Sequence, residues 1–109
     1  MIAPGMLERH YSPRTPLGLL EPGARPPGAA GKRAAWVRLR REAGGDAPAG
    51  VEVFWLSERG DLAEAARGLY DLLRRLDGAG YGQLWCEQAP EAGLGAAFND
   101  RLRRGAAKG

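Results

Sequence analysis

The sequence predicts an α/β domain, with a mostly parallel sheet of about four strands and two main helices behind an extended linker. Three observations predict it. From residue 51 onward, strand-like and helix-like stretches alternate, which is the pattern of a βαβ unit. The chain carries 17 glycines and 8 prolines in 109 residues, concentrated in 1–31 and 43–50, so those stretches read as connections. Pro4, Pro13 and Pro16 all fall in the first 16 residues, ahead of any foldable pattern.

Residues 1–16 read as an extended linker. Each proline fixes its own φ and biases the preceding residue toward extended geometry. The apolar run Leu17–Leu20 reads as a first short strand. Residues 22–32, "PGARPPGAAGK", have no period and several breakers, so they form a loop. In 33–41, Val37 and Leu39 alternate with Arg38 and Arg40, which is strand periodicity. Residues 51–57, "VEVFWLS", are β-branched and aromatic between two breaker-rich stretches and predict a strand.

The following segment is the clearest helix. Leu62, Ala65, Ala66, Leu69, Tyr70, Leu72, Leu73 and Leu76 recur at the spacing of one buried face. Asp61 with Glu64 resembles a capping box, and Asp77-Gly78 suits a stop. Gly68 inside this helix suggests close packing on the sheet. Residues 81–88 predict a strand with Leu84 and Cys86 on one face and Trp85 and Glu87 on the other. A second helix begins at Leu94, with Leu94, Ala97, Phe98 and Leu102 expected on its buried side.

Composition excludes several classes of function. The net charge of +3 and pI of about 9.5 are too weak to argue nucleic-acid binding. A lone cysteine, Cys86, makes neither an internal disulfide nor a metal cluster, and a buried thiol is expected. No apolar run approaches a membrane span and no signal pattern opens the chain, so the expectation is a soluble cytoplasmic protein without a membrane partner. There is no phosphate-loop motif, and "GLGAAF" lacks the third glycine of a dinucleotide fingerprint, leaving a tight turn before a helix. His10 has no partner at metal-ligand spacing, and no pair of carboxylates is placed for acid–base work. Neither a catalytic residue nor a metal site is expected.

The opening stretch is what folding leaves unexplained. An arginine, a histidine and a tyrosine between prolines suit a strap laid on another surface, or an ordinary polar tail. Arginine pairs with phosphate or carboxylate, tyrosine stacks or hydrogen-bonds, and proline lowers the ordering cost.

The run "APGMLERHYSPRTPL" resembles the interdomain linker of the two-domain threonylcarbamoyl-AMP synthases. "SERGDLAEAARGLYDLLRRLD" is similar to the long helix of that family's C-terminal domain, and "PEAGLGAAFNDRLRRGAA" to its closing segment. Leu7 and Glu8 stand where a Lys-Tyr pair is common in the family.

The resemblance implies a Rossmann-like accessory domain at 17–109 behind a linker at 1–16. The family's catalytic N-terminal domain, with its Lys-x-Arg and Ser-x-Asn motifs, is expected to lie outside these residues. It places Arg9, His10 and Tyr11 near the ligand, with Pro4, Gly5, Met6, Pro13 and Pro16 shaping the strap. ATP, threonine and bicarbonate are then substrates of the full enzyme, a nucleotidyltransferase, and this chain alone binds none of them. The product serves modification of adenosine 37 in tRNA, so tRNA is an indirect partner. The direct partner is the catalytic domain, joined in the same chain or docked as a separate one.

The loops 22–32 and 43–50 are short where many members carry helices, so one sheet face should be less covered. A basic RNA-binding module, using Arg101, Arg103, Arg104 and Lys108, is the remaining alternative.

Overall fold

The computed structural model describes residues 13–28, 31–42 and 47–106. Four strands form one sheet: β1 (Leu17–Leu20), β2 (Ala34–Arg40), β3 (Val51–Ser57) and β4 (Gln83–Glu87). Helix α1 (Leu62–Asp77) joins β3 to β4, and α2 (Leu94–Ala106) follows β4. The strand order is β1-β4-β2-β3 and all three pairings are parallel. The four strands and two helices expected from the sequence are all present, in an α/β arrangement consistent with a small Rossmann-like module.

The two sheet faces are covered differently. One carries Ala35, Val37, Leu39, Leu84 and Cys86, packed under Ala65, Leu69, Leu73, Leu76, Phe98 and Leu102 of the helices. Helix α1 lies against β3 and β2, and α2 lies against α1 and β1. The other face carries Leu20, Ala34, Trp36 and Val51, with Val53 and Trp85 beside them and Ala24 and Ala47 from the loops. No helix covers that face among the described residues, as the short loops predict.

Large rings cover that face instead. Gly18 pairs with Trp85, Trp85 with Trp36, and Trp36 with Val53, so one row crosses the whole sheet. A Cβ on Gly18 would run into the Trp85 indole. The absence of a side chain at Gly18 lets that ring lie flat over β1. The Arg38 guanidinium stacks 4.5 Å from the Trp36 ring centroid. Trp36 Nε1 and Arg38 Nε are both buried without a hydrogen-bond partner; the guanidinium is held by that stacking and by Glu42, 3.0 Å from its Nη2.

The start of α1 differs from a simple capping box. Asp61 caps it by accepting from the amides of Ala63 (2.9 Å) and Glu64 (3.2 Å). Glu64 does not reach back to the Asp61 amide itself. The Ser57 hydroxyl accepts from that amide at 2.9 Å and donates to Glu64 Oε1 at 2.8 Å. A buried serine at the end of β3 therefore relays the box and ties strand to helix.

Two expectations are corrected. Gly68 approaches nothing, since a Cβ there would meet open space; it does not mark close packing. The buried face of α2 is rotated from the expected one, comprising Gly95, Phe98, Asn99, Leu102 and Gly105. Leu94 is 62% exposed, and Ala97 is exposed. The cause is Gly95, whose Cα faces the Pro90 carbonyl so closely that a Cβ would collide with it. That contact sets the rotation of the helix, and Asn99 fixes it. The Asn99 side chain accepts from the Ala89 amide (2.8 Å) and donates to the Ala89 carbonyl (2.7 Å) and to Glu91 (2.9 Å).

Candidate functional site

The chain enters the sheet through Pro13-Arg14-Thr15-Pro16. Neither proline has an amide hydrogen, so this segment has two backbone donors, and both go to one carboxylate. The Arg14 amide donates to Asp77 Oδ2 at 3.1 Å and the Thr15 amide to Oδ1 at 2.9 Å. The Thr15 hydroxyl adds a third bond to Oδ1 at 2.7 Å. The Pro16 carbonyl accepts from the Leu84 amide at 2.8 Å and from the Gln83 side chain at 3.2 Å. This root segment is thus held by the end of α1 on one side and the start of β4 on the other.

Asp77 is the last residue of α1. A carboxylate there faces the negative end of the helix dipole, which disfavours it. Charge-assisted bonds from three donors more than offset that penalty. Beside the root lies a cleft of about 300 Å³, lined by Pro13, Arg14, Thr15, Pro16, Leu17, Gly105 and Ala106.

Of the residues predicted to matter, Pro13 and Pro16 are at this root. Arg9, His10, Tyr11, Pro4, Gly5 and Met6 lie outside the described residues. Asp77 is the residue sequence reasoning passes over, reading it only as part of a helix stop. Its one signal is an acid at the end of a helix that prefers bases.

The remaining polar clusters are structural. Glu87 accepts from the amides of Gly23 (3.1 Å) and Leu39 (3.0 Å), tying the first loop to β2. Glu52 accepts from the Tyr81 hydroxyl and from Arg33 at 2.8 Å, and these bonds hold its carboxyl below the ordinary range. Burial, followed by the Glu52 bond, pushes the Tyr81 hydroxyl up. Hydrogen bonds from Asn99 and Arg103 hold Glu91 down. Burial pushes the Cys86 thiol far above the reactive range. No group of His, Cys, Asp and Glu that could hold a metal exists among the described residues.

The "GLGAAF" glycines serve the turn. Amides at the start of α2 are turned inward, Gly95 to the Ala92 carbonyl and Ala96 to the Gly93 carbonyl. No helix among the described residues is long and apolar enough to cross a membrane. The described residues supply no acid–base or nucleophilic arrangement, but Asp77 does clamp the segment that leads into β1.

Comparison with known proteins identifies the family. No match to this chain was found among curated proteins. Among solved structures it is similar to the Sua5 protein of P. abyssi in complex with L-threonine, at 29% identity and a TM-score of 0.63. That match takes in 95% of this chain and 32% of the P. abyssi chain, so this chain spans under half of that relative. Residues 1–107 match the family model described as threonylcarbamoyl-AMP synthase, C-terminal domain. The chain belongs to the threonylcarbamoyl-AMP synthase C-terminal domain family.

Proposed function

We propose that this chain is the accessory, gating module of a threonylcarbamoyl-AMP synthase. Residues 17–109 form the accessory domain and residues 1–16 the strap leading to a catalytic N-terminal domain, in the same chain or a separate one. That catalytic domain converts threonine, bicarbonate and ATP into threonylcarbamoyl-adenylate and pyrophosphate in the cytoplasm. The product serves modification of adenosine 37 in tRNA. This chain holds none of those substrates alone and is not active alone.

The observation that carries the reading is the clamp on Arg14 and Thr15 by Asp77. A strap with a fixed root delivers Arg9, His10 and Tyr11 over a limited volume, which raises their effective concentration at a neighbouring cleft. Closed over that cleft, Arg9 pairs with phosphate or carboxylate, while His10 and Tyr11 cover a planar ligand and keep water from a labile adenylate.

Reconstitution tests it. The chain is combined with a catalytic domain of the family, fused or separate, and pyrophosphate release is followed with threonine, bicarbonate and ATP. Activity should require or rise with this chain, and replacing His10 and Tyr11 together by alanine should weaken adenylate formation. Unchanged kinetics in the double variant would overturn the strap assignment. The separate-chain form further requires co-elution at micromolar concentration.

An RNA-binding role finds less support. Arg103 pairs with Glu91 at 2.7 Å and Arg104 with Asp100 at 3.0 Å, so two of the three described arginines are neutralised.

A further inference from the structure

Strand β3 is the outermost strand beyond β2. Its far side has no ladder partner among the described residues, so a row of backbone donors and acceptors faces outward over seven residues. Exposed edges are ordinarily blunted by lysine, proline, a bulge or shortness. "VEVFWLS" has no lysine, proline or bulge, and its one charged side chain, Glu52, is engaged by Tyr81 and Arg33. Its Trp55 is 39% exposed, a large ring at the rim with the Arg41 guanidinium 5.0 Å from its centroid.

A cleft of about 320 Å³ runs beside this edge, lined by Val53, Phe54 and Trp55 of the strand and Leu72 and Arg75 of α1. Four of the five lining residues are apolar and the fifth is a cation. Among the described residues, Arg75 makes no ion pair, whereas its neighbour Arg74 is paired with Asp71. The nearest acid on the strand, Glu52, is already bound by Tyr81 and Arg33. Glu58, just beyond the strand, is paired with Arg41. The trough is therefore apolar with one cation that forms no ion pair, Asp71 one turn before it on α1 being paired with Arg74.

We propose that the outer edge of β3 and the α1 groove beside it form a docking site for an extended acidic peptide segment of a partner protein. The segment adds as a fifth strand. Its backbone satisfies the open row of β3. Apolar side chains fill the trough against Phe54 and Leu72 and cover Trp55, and one carboxylate reaches Arg75. A second copy of this chain fits less well. Antiparallel pairing of β3 with itself about Phe54 sets Glu52 opposite Leu56, and Glu52 is already committed, so both Arg75 side chains stay unmatched.

The test uses the full isotope-labelled chain and two capped hexapeptides of alternating valine and threonine. One carries a central glutamate and the other a lysine in its place. Saturable amide shifts are expected across β3 and at Leu72 and Arg75, with new exchange protection on outward β3 amides. The acidic peptide should bind roughly fivefold more tightly than the basic one. Arg75→Glu, at an exposed position that leaves the core intact, should invert that preference. Trp55→Lys should weaken both peptides. Absence of saturable shifts on β3 at millimolar peptide overturns the proposal, as does equal affinity for the two peptides. So does self-association that protects the same amides without peptide, which would assign the edge to a second copy.

Discussion

Replacing Asp77 by alanine removes the acceptor for Arg14 N, Thr15 N and Thr15 Oγ1 together. Hydrogen bonds to a charged acceptor contribute about 1.5–3 kcal/mol each. These three share one carboxylate and the Arg14 bond is exposed, so water takes over part of their work. The two bonds from Thr15 are partly buried and dominate. The substitution also relieves an acid at the negative end of α1, a gain of about 0.3–1 kcal/mol. The net cost expected for the strap root is about 2 kcal/mol, roughly thirtyfold in its opening equilibrium.

Native-state amide exchange reads this locally. Protection of the Thr15 amide should fall by that factor, while the Leu84 amide, held by the Pro16 carbonyl, keeps most of its protection. Asp77→Asn keeps one acceptor oxygen and should lose about a third as much. If Asp77→Ala leaves Thr15 protection unchanged, or lowers Leu84 equally, the carboxylate is not what holds the root. The gating reading would then lose its anchor.

Glycines at three positions should answer differently to alanine in urea unfolding. Gly68→Ala, with open space around it, should stabilise by about 0.5–1 kcal/mol through helix propensity. Gly95→Ala should destabilise despite the same propensity gain, because its Cβ meets the Pro90 backbone. Gly18→Ala should cost about 1–3 kcal/mol against the Trp85 ring, and a smaller residue at 85 should recover part of it. The lowered carboxyl of Glu52 gives the fold stability that is complete above its ordinary value near 4.5 and is lost as pH falls through the lower folded-state value. Glu52→Gln should flatten that acid limb in pH-dependent unfolding curves. Cys86, fully buried with its thiol pushed up, should react with a thiol reagent no faster than the chain unfolds.

What the sequence revealed, and what it hid, follows from the range of the forces involved. Strand and helix periodicity is local, so β2, β3, β4 and α1 could be read directly from alternation and from the i, i+3, i+4 spacing. Parallel direction could be read for β3 and β4, since the helix between them returns the chain to the same end, whereas the direction of β2, joined to its neighbours in sequence without a helix among the described residues, could not. The rotation of α2 could not be read. A helix wheel places Leu94 inward, yet the choice was made by a backbone-to-backbone approach between Gly95 and the Pro90 carbonyl. Hydrophobic patterning carries no trace of such an approach.

Asn99 is the same lesson in a polar residue, since its value comes from the Ala89 peptide ten positions away. Asp77 is the sharpest case. Sixty-two positions separate it from Thr15, and no local rule links an acid at a helix end to a strap between prolines. One feature visible in the sequence was nevertheless a pointer. Asp77 violates the dipole preference of its own helix, and a residue that is locally unfavourable is where a distant contact should be sought. Applied to Gly68, the same rule returns no contact at all. A local violation therefore marks a place to look, and only the packing decides whether something is there.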